Sequence, residues 1–252
     1  MAKEQKKQLE HPFNRLQNEL DRLIRESKPG ERLPSEPQLA RELGVSRATL
    51  REGMRTFEAQ GLIRRRQGVG TFVVGETRVM EAGLEVIESI ESLASRIDLE
   101  VSMGALEVSD ISADKEEAKN LNLEEGSPLV RVSRVIYTDQ RPAAYLVDTL
   151  PPDILTQKEL AEVFTGSVLD FLQKRGIPRL DKSFTDIKAV AAQASIAKLL
   201  EIQRDDVLLL FTARLFDDQG RVIDFSQSYF VPGYFRFHVI RRLGNTPIGG
   251  RG

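Results

Sequence analysis

Three helix-forming segments precede two short β-prone runs in the first part of this chain, and this order restricts its fold more than any other feature. In each segment apolar side chains recur at helical spacing, which predicts helices with one buried face. Ser35 with Gln38 three residues later predicts a capping box for the second helix, and Ser46 can cap the third. The predicted helices cover residues 12–27, 35–43 and 46–60.

The junction between the second and third helices has the residues that a close crossing of two helices requires. Ala40 lets the helices approach, Gly44 accepts a left-handed turn, and Val45 can anchor that turn in the core. The β-prone runs 62–66 and 70–74 flank a glycine, which predicts a hairpin. Together these elements predict a winged helix-turn-helix, which is a DNA-binding module.

The predicted third helix separates a buried face from a basic one. Arg47, Arg51 and Arg55 lie four residues apart and share a face, and Ser46 and Thr49 add hydroxyl groups near its start. A guanidinium group matches the two acceptors of guanine in the major groove, so Arg47 and Arg51 are the predicted base readers. The alternative is an ordinary helical subdomain with a solvated arginine face.

The predicted wing carries three consecutive arginines beside a glycine turn. Alternation along a strand directs Arg64 and Arg66 to one side and Arg65 to the other, so at most two of them can enter one groove. Residues 1–75 contain 15 Lys and Arg against 10 Asp and Glu, whereas the remainder contains 21 against 28. A basic head on an acidic body suits a protein that brings only one part to phosphate.

A length of 252 residues predicts two domains, which we place at 1–75 and 83–245 with a linker at 76–82. The sequence has no cysteine and no apolar run long enough to span a membrane. We therefore expect a cytoplasmic protein that needs no metal or other cofactor.

Beyond the linker, the patterns predict a mixture of helices and strands. The predicted helices are 85–97, 115–121, 168–174 and 195–200. The predicted strands are 129–138, 143–150, 184–191, 207–216 and 222–231. A hairpin loop at 217–220 joins the last two strands, so we expect an α+β fold in which an antiparallel sheet has helices on one side.

Three motifs in the N-terminal part resemble those of the GntR family of bacterial transcription regulators. They are Leu33-Pro34-Ser35-Glu36, Gly44-Val45-Ser46-Arg47 and Gly68-Val69-Gly70-Thr71-Phe72-Val73. The resemblance implies operator contacts from the recognition helix by Ser46, Arg47, Thr49 and Arg51, and minor-groove contacts from the wing by Gln67 and Gly68.

Pro37 departs from the family pattern, because an arginine often follows the Leu-Pro-Ser-Glu motif. Arg32 and Arg41 are the candidates to replace the missing contact. The complete predicted interface with double-stranded DNA is Arg32, Ser35, Ser46, Arg47, Thr49, Arg51, Arg64, Arg66, Gln67 and Gly68.

The C-terminal part, over residues 83–240, resembles the UTRA effector domain of the HutC branch of the same family. Segments that carry this resemblance include Leu129 to Arg134 and Leu150-Pro151. It implies an antiparallel sheet like that of chorismate lyase, a small-molecule pocket and dimerisation through this domain. The effector site that it implies comprises Arg134, Ser167, Arg214, Asp224 and Ser226.

Several departures from that branch bear on the effector. Relatives that bind sugar phosphates hold the phosphate with an Arg-x-Arg pair, whereas here Arg134 is followed by Ile136. Leu146 and Leu169 stand where a glutamate and a tyrosine are common. These changes favour a more apolar effector, and an anion held by Arg134 stays an alternative. A structural ion pair among Arg134, Arg214 and Asp224 is the other alternative.

Two other functions stay open at this point. Chorismate lyase is catalytic, but neither His11 nor His238 has a metal-ligand spacing, and Ser167 lacks a nucleophile elbow and is more simply a helix N-cap. A DNA-binding protein without a ligand would leave the second domain unexplained. We therefore predict a non-enzymatic, homodimeric repressor that reads a palindromic operator and responds to a small-molecule effector.

Overall fold

The computed structural model describes residues 12–66, 69–74, 79–138, 140–164 and 166–241. Its N-terminal part contains three helices and a two-stranded antiparallel sheet, which confirms the predicted elements. They are α1 (Pro12–Glu26), α2 (Glu36–Glu42), α3 (Arg47–Ala59), β1 (Ile63–Arg66) and β2 (Gly70–Val73).

One hydrophobic core holds these elements together, with Leu20 of α1 and Leu50 of α3 fully buried in it. Ser46 caps α3 as predicted, since its Oγ accepts a hydrogen bond from the Thr49 N–H at 3.1 Å. Ser35 makes no side-chain cap bond within the described residues, so the predicted capping box is wrong. Pro37 lies in the first turn of α2 and has no N–H group that would need a cap.

The C-terminal part is built on a six-stranded antiparallel sheet with the strand order β4-β5-β6-β9-β8-β7. This sheet confirms the predicted α+β fold. Its strands are β4 (Val101–Ser112), β5 (Pro128–Thr138), β6 (Arg141–Leu150), β7 (Leu180–Ala191), β8 (Val207–Asp217) and β9 (Val222–Phe230). The helices are α4 (Ile90–Arg96), α5 (Lys115–Leu121), α6 (Gln157–Val163), α7 (Val168–Arg175) and α8 (Ala194–Leu199).

A separate pair of short parallel strands, β3 (Met80–Gly83) and β10 (Phe235–His238), lies beside this sheet. Residues 80–82, which the sequence analysis assigned to the linker, therefore belong to a strand. The strands have four residues each, which is too short for a period to show in the sequence.

Helices cover both faces of the sheet, and not one face as predicted. Ala118 of α5 and Ile196 of α8 pack on one face. Leu160 of α6, Leu172 of α7 and Ile90 of α4 pack on the other. The sequence analysis also missed β4 and α6, and it began α4 five residues too early.

Within the described residues, no helix is long and apolar enough to cross a membrane.

Candidate effector pocket and DNA interface

A cavity of about 430 Å³ lies on the sheet face that α4 and α7 cover. Successive side chains of a strand point to opposite faces, so alternate residues of β6, β7, β8 and β9 line this cavity, together with Arg134 of β5. Its size lies within the range of small-molecule sites. The polar groups in its wall include Glu91, Arg134, Asp148, Ser167 and Asp224.

A buried ion pair joins two neighbouring strands at the base of the cavity. Arg134 of β5 donates from Nη1 to Oδ2 of Asp148 on β6. The guanidinium group also lies 5.9 Å from the centroid of the Phe164 ring. Its charge is therefore already matched by a carboxylate. The predicted structural pair involving Arg134 exists, but its partner is Asp148 and not Asp224.

Two further carboxyl groups in the cavity have no ion-pair partner among the described residues. Burial raises the pKa of Asp224 well above its ordinary value, and the neighbouring charge of Asp148 raises it further. The Oδ1 atom of Asp224 is buried and has no hydrogen-bond partner in the described part of the chain. Burial also raises the pKa of Glu91, which α4 directs into the cavity.

A cluster of four phenylalanines forms the apolar wall of the cavity; we call it the phenylalanine cluster, and its members are Phe211, Phe230, Phe235 and Phe237. Its rings pack closely, with centroids 4.4 Å apart for Phe211 and Phe237 and 4.8 Å apart for Phe230 and Phe235. Leu146 and Leu169 add further apolar side chains to the lining of the cavity. The cavity therefore has an apolar surface formed by closely packed aromatic rings.

The structure brings together four of the five predicted effector residues: Arg134, Ser167, Asp224 and Ser226. The fifth, Arg214, lies on the opposite face of β8, because its neighbours Ala213 and Leu215 line the cavity. The Arg214 guanidinium lies 4.9 Å from the Phe184 ring centroid. Ser167 also caps α7, as predicted, by accepting from the Asp170 N–H at 3.0 Å.

The sequence analysis missed Glu91, Asp148 and the phenylalanine cluster. Asp148 could have been found, because it stands two residues after Leu146 on a predicted strand and so shares its face. No local signal distinguishes Glu91 from other helical acids. Phe235 and Phe237 lie on β10, and this short strand meets Phe211 and Phe230 only in the folded domain.

On the DNA-binding side, the start of α3 is exposed. Ser46, Arg47, Thr49 and Arg51 are all exposed there, as a recognition helix requires. Arg51 donates from Nε to Oε2 of Glu36 at 2.7 Å, so it has a partner that DNA must displace.

Arg32 runs alongside the second strand of the wing and pairs with Phe72 in an isolated bridge. A Cβ atom at Gly70 would lie 2.5 Å from Arg32 Nε, so a side chain at this position would displace the Arg32 guanidinium group. Arg32 and Ser35 are exposed, and both line a cleft of about 650 Å³ beside α3.

Two of the wing arginines, Arg64 and Arg65, are held inside the protein. Arg64 is 7% exposed, and its Nη2 donates to the Leu200 carbonyl at 2.5 Å, at the C-terminal end of α8. Arg65 donates from Nε to Glu58 Oε2 at 2.8 Å. The DNA contact predicted for Arg64 therefore requires that it leave Leu200. Gln67, Gly68 and the side chain of Arg66, also predicted contacts, lie outside the described residues.

Acidic residues of the C-terminal part face the predicted DNA-contacting surface across the cleft. Asp205 and Asp206 line it together with Arg32 and Arg51. The nearest atoms of Arg65 and Asp206, Nη2 and Oδ1, are 4.0 Å apart. Burial raises the pKa of Asp206, and the Glu58 carboxylate raises it further.

Comparison with known proteins identifies both parts of the chain. The model for bacterial regulatory proteins of the gntR family matches residues 13–73, and the UTRA domain model matches residues 98–236. This chain belongs to the GntR family. It is a DNA-binding transcription regulator with a UTRA effector-binding domain, as the motifs indicated.

Relatives and solved structures agree with this assignment. The chain is 30% identical to the mannosyl-D-glycerate transport/metabolism system repressor MngR of Escherichia coli (strain K12), covering 85% of this chain and 88% of the relative. It is 30% identical to the histidine utilization repressor of Pseudomonas putida, covering 74% and 73%. The crystal structure of PhnF from Mycobacterium smegmatis matches with a TM-score of 0.61 at 23% identity, over 91% of this chain and 100% of that one.

The buried ion pair of this regulator gives a stability prediction. Arg134→Met leaves Asp148 buried without its cation, and we expect a loss of about 3–5 kcal/mol in the free energy of unfolding. Adding Asp148→Asn should recover most of that loss. Urea unfolding of the full chain measures both effects.

The control is Arg221→Met, which removes one partner of the exposed pair between Arg221 and Asp153. A solvated pair of this kind should contribute about 1 kcal/mol or less. If Arg134→Met and Arg221→Met lower the free energy of unfolding by the same amount, the pair between Arg134 and Asp148 is not the buried contact described above.

Proposed function

We propose that this chain is a transcriptional repressor whose binding to an operator is modulated by a small molecule in the cavity of its UTRA domain. The observation that carries the proposal is the coexistence of an exposed recognition helix start and a separate cavity with polar and aromatic walls. The names of the relatives, which are repressors of transport, metabolism or histidine utilization, support repression.

In this proposal the protein acts without catalysis and works in the bacterial cytoplasm, where an operator is found. The Ser167 hydroxyl is engaged as a helix cap, which argues against a nucleophile at that position. Base contacts are assigned to Arg47 and Arg51, with support from Arg32, Ser35, Ser46 and Thr49. Gln67, Gly68 and Arg66 complete the proposed interface from the wing.

We propose further that two copies associate through β7, so that two recognition helices face a palindromic operator. This edge strand has 12 residues and presents Phe184 with 52% of its surface exposed. A long exposed edge is a template for pairing with another chain. The opposite edge, β4, has a register shift between Met103 and Leu106, and such irregularities blunt an edge.

The domain contact offers a way to control DNA binding. Arg64 fastens the wing to the end of α8, and in this arrangement Asp205 and Asp206 face Arg32 and Arg51. These carboxylates oppose the approach of phosphate. We infer that this arrangement disfavours DNA and that an effector changes its population.

The first prediction of the proposed function concerns base recognition. Arg47→Ala and Arg51→Ala should each reduce the preference for the operator over random DNA by about 1–3 kcal/mol, because a base contact is lost. The operator can be selected from random DNA with the unaltered chain, and fluorescence anisotropy at fixed salt gives both affinities. Arg22→Ala on α1 is the control. Equal weakening on both DNAs would show that the two arginines contact only phosphate.

The second prediction concerns assembly. Phe184→Lys places a cation on the β7 edge of both copies and should halve the mass observed by sedimentation equilibrium. The matched control, Met103→Lys on β4, should leave the mass unchanged. A dimer that survives Phe184→Lys and dissociates with Met103→Lys would place the interface at the other edge.

The third prediction separates two roles for Arg64. If Arg64 mainly holds the domains together, Arg64→Ala removes a charged hydrogen bond and should increase operator affinity, by roughly tenfold. If Arg64 contacts DNA directly, the same variant must lower that affinity. Operator titrations of the variant beside the unaltered chain distinguish the two signs.

A further inference from the structure

The cavity of the UTRA domain has more acidic groups than basic ones. Among the described residues that line it, four carboxyl groups accompany one cation, Arg134; they are Glu88, Glu91, Asp148 and Asp224. Asp148 pairs with Arg134, and Glu88 pairs with Arg96 at 3.0 Å. Glu91 and Asp224 are therefore left to face the cavity without a cation from the described chain.

One of these two groups has a buried carboxyl oxygen without a hydrogen-bond partner among the described residues. Asp224 is 5% exposed, and its Oδ1 has no hydrogen-bond partner in the described residues. Leaving a buried polar atom unsatisfied costs free energy, and a ligand that donates an N–H group to Oδ1 removes that cost. A positive charge on the same ligand compensates for the burial of the carboxylate.

The phenylalanine cluster also suits a cation with an apolar body. Aromatic faces attract ammonium and guanidinium groups, and they bury apolar surface at the same time. Leu146 and Leu169 enlarge this apolar wall. The walls therefore offer both carboxyl groups and aromatic rings.

An anionic effector fits these contacts poorly. Arg134 already donates to Asp148, so an anion must displace an internal carboxylate to reach it. It would then lie in the same cavity as Asp224 and Glu91, two carboxyl groups that have no ion-pair cation among the described residues and that an added negative charge would disfavour further. The alternative of an anion held by Arg134, which the sequence left open, is disfavoured by this arrangement.

We propose that the effector is a small organic cation that carries at least one N–H donor on an aromatic or other apolar body, with Asp224 and Glu91 receiving its charged end. This proposal rests on the proposed function, since it assigns the ligand class of the same effector cavity.

A matched series of compounds tests the charge of the ligand while its body stays constant. Phenethylamine, 2-phenylethanol and 3-phenylpropionate share one ring and differ in the end group, and histamine and cyclohexylmethylamine vary the body of the amine. Thermal unfolding of the full chain reports binding. At about five times its Kd, a bound amine should raise the Tm by about 2–4 °C, whereas the propionate should give no shift.

The proposal is overturned if the propionate or a hexose phosphate gives a saturable shift and the amines do not. It is also overturned if none of the three amines gives a saturable shift. A larger Tm shift with 2-phenylethanol than with phenethylamine also overturns the proposal, because it shows that the positive charge does not contribute to binding.

Two variants locate the binding contacts. Glu91→Gln and Asp224→Asn should each raise the amine concentration for half the maximal shift by about tenfold, since each removes a charged partner. The matched controls Glu107→Gln and Asp110→Asn alter exposed carboxylates of β4 and should leave that concentration unchanged. Glu91 is only partly buried, so Glu91→Gln decides the question if Asp224→Asn fails to fold. Unchanged amine binding in Glu91→Gln would overturn the proposal.

Operator binding, measured separately, distinguishes this proposal from the proposed function. If the chain binds selected DNA and only an anion releases it, the ligand class is wrong and the proposed function stands. If the chain shows no preference for any DNA sequence, the proposed function fails, and the Tm series still reports which ligands the cavity accepts.

Discussion

The strict alternation of side chains across the six-stranded sheet is the constraint on which the other features of the C-terminal domain depend. Because neighbouring strands are antiparallel and in register, Arg134, Asp148 and Asp224 all reach the same face although they come from three strands. The same rule places Arg214 on the other face. A one-residue change of register would exchange these sets and remove the cavity's polar wall.

Ile136 stands where the resemblance led us to expect the second arginine of the sugar-phosphate pattern. Ile136 lies on the same face as Arg134, two residues along β5, but it is fully buried among residues that pack against α4. It supports the helix that carries Glu91 into the cavity. Ile136 therefore adds no cation to the cavity, and it packs against the helix that carries an acid.

The sequence predicted those elements whose signals are local. Helical spacing, the Ser46 cap and the small residues around Gly44 defined the N-terminal helices, because each signal lies within one turn or one helix. It failed where pairing partners are distant: β3 and β10 are four residues long and 155 positions apart in register. Arg64 shows the same limit, since its partner Leu200 is 136 residues away. Alternation alone could not decide whether such an arginine faces DNA or another domain.

The contact between Gly61 and Gly233 links the effector cavity to the DNA-binding head. Gly61 follows α3 with φ of +71°, and a Cβ atom there would lie 2.5 Å from Gly233 Cα, so both backbones meet without side chains between them. Gly233 stands two residues before Phe235, a member of the phenylalanine cluster. The Tyr234 carbonyl between them accepts a hydrogen bond from the Met80 N–H, at the start of β3. Under the proposed function, a ligand that moves the rings of β10 would act on the end of α3 through the segment from Gly233 to Phe235, and it needs no contact with the DNA-binding domain itself.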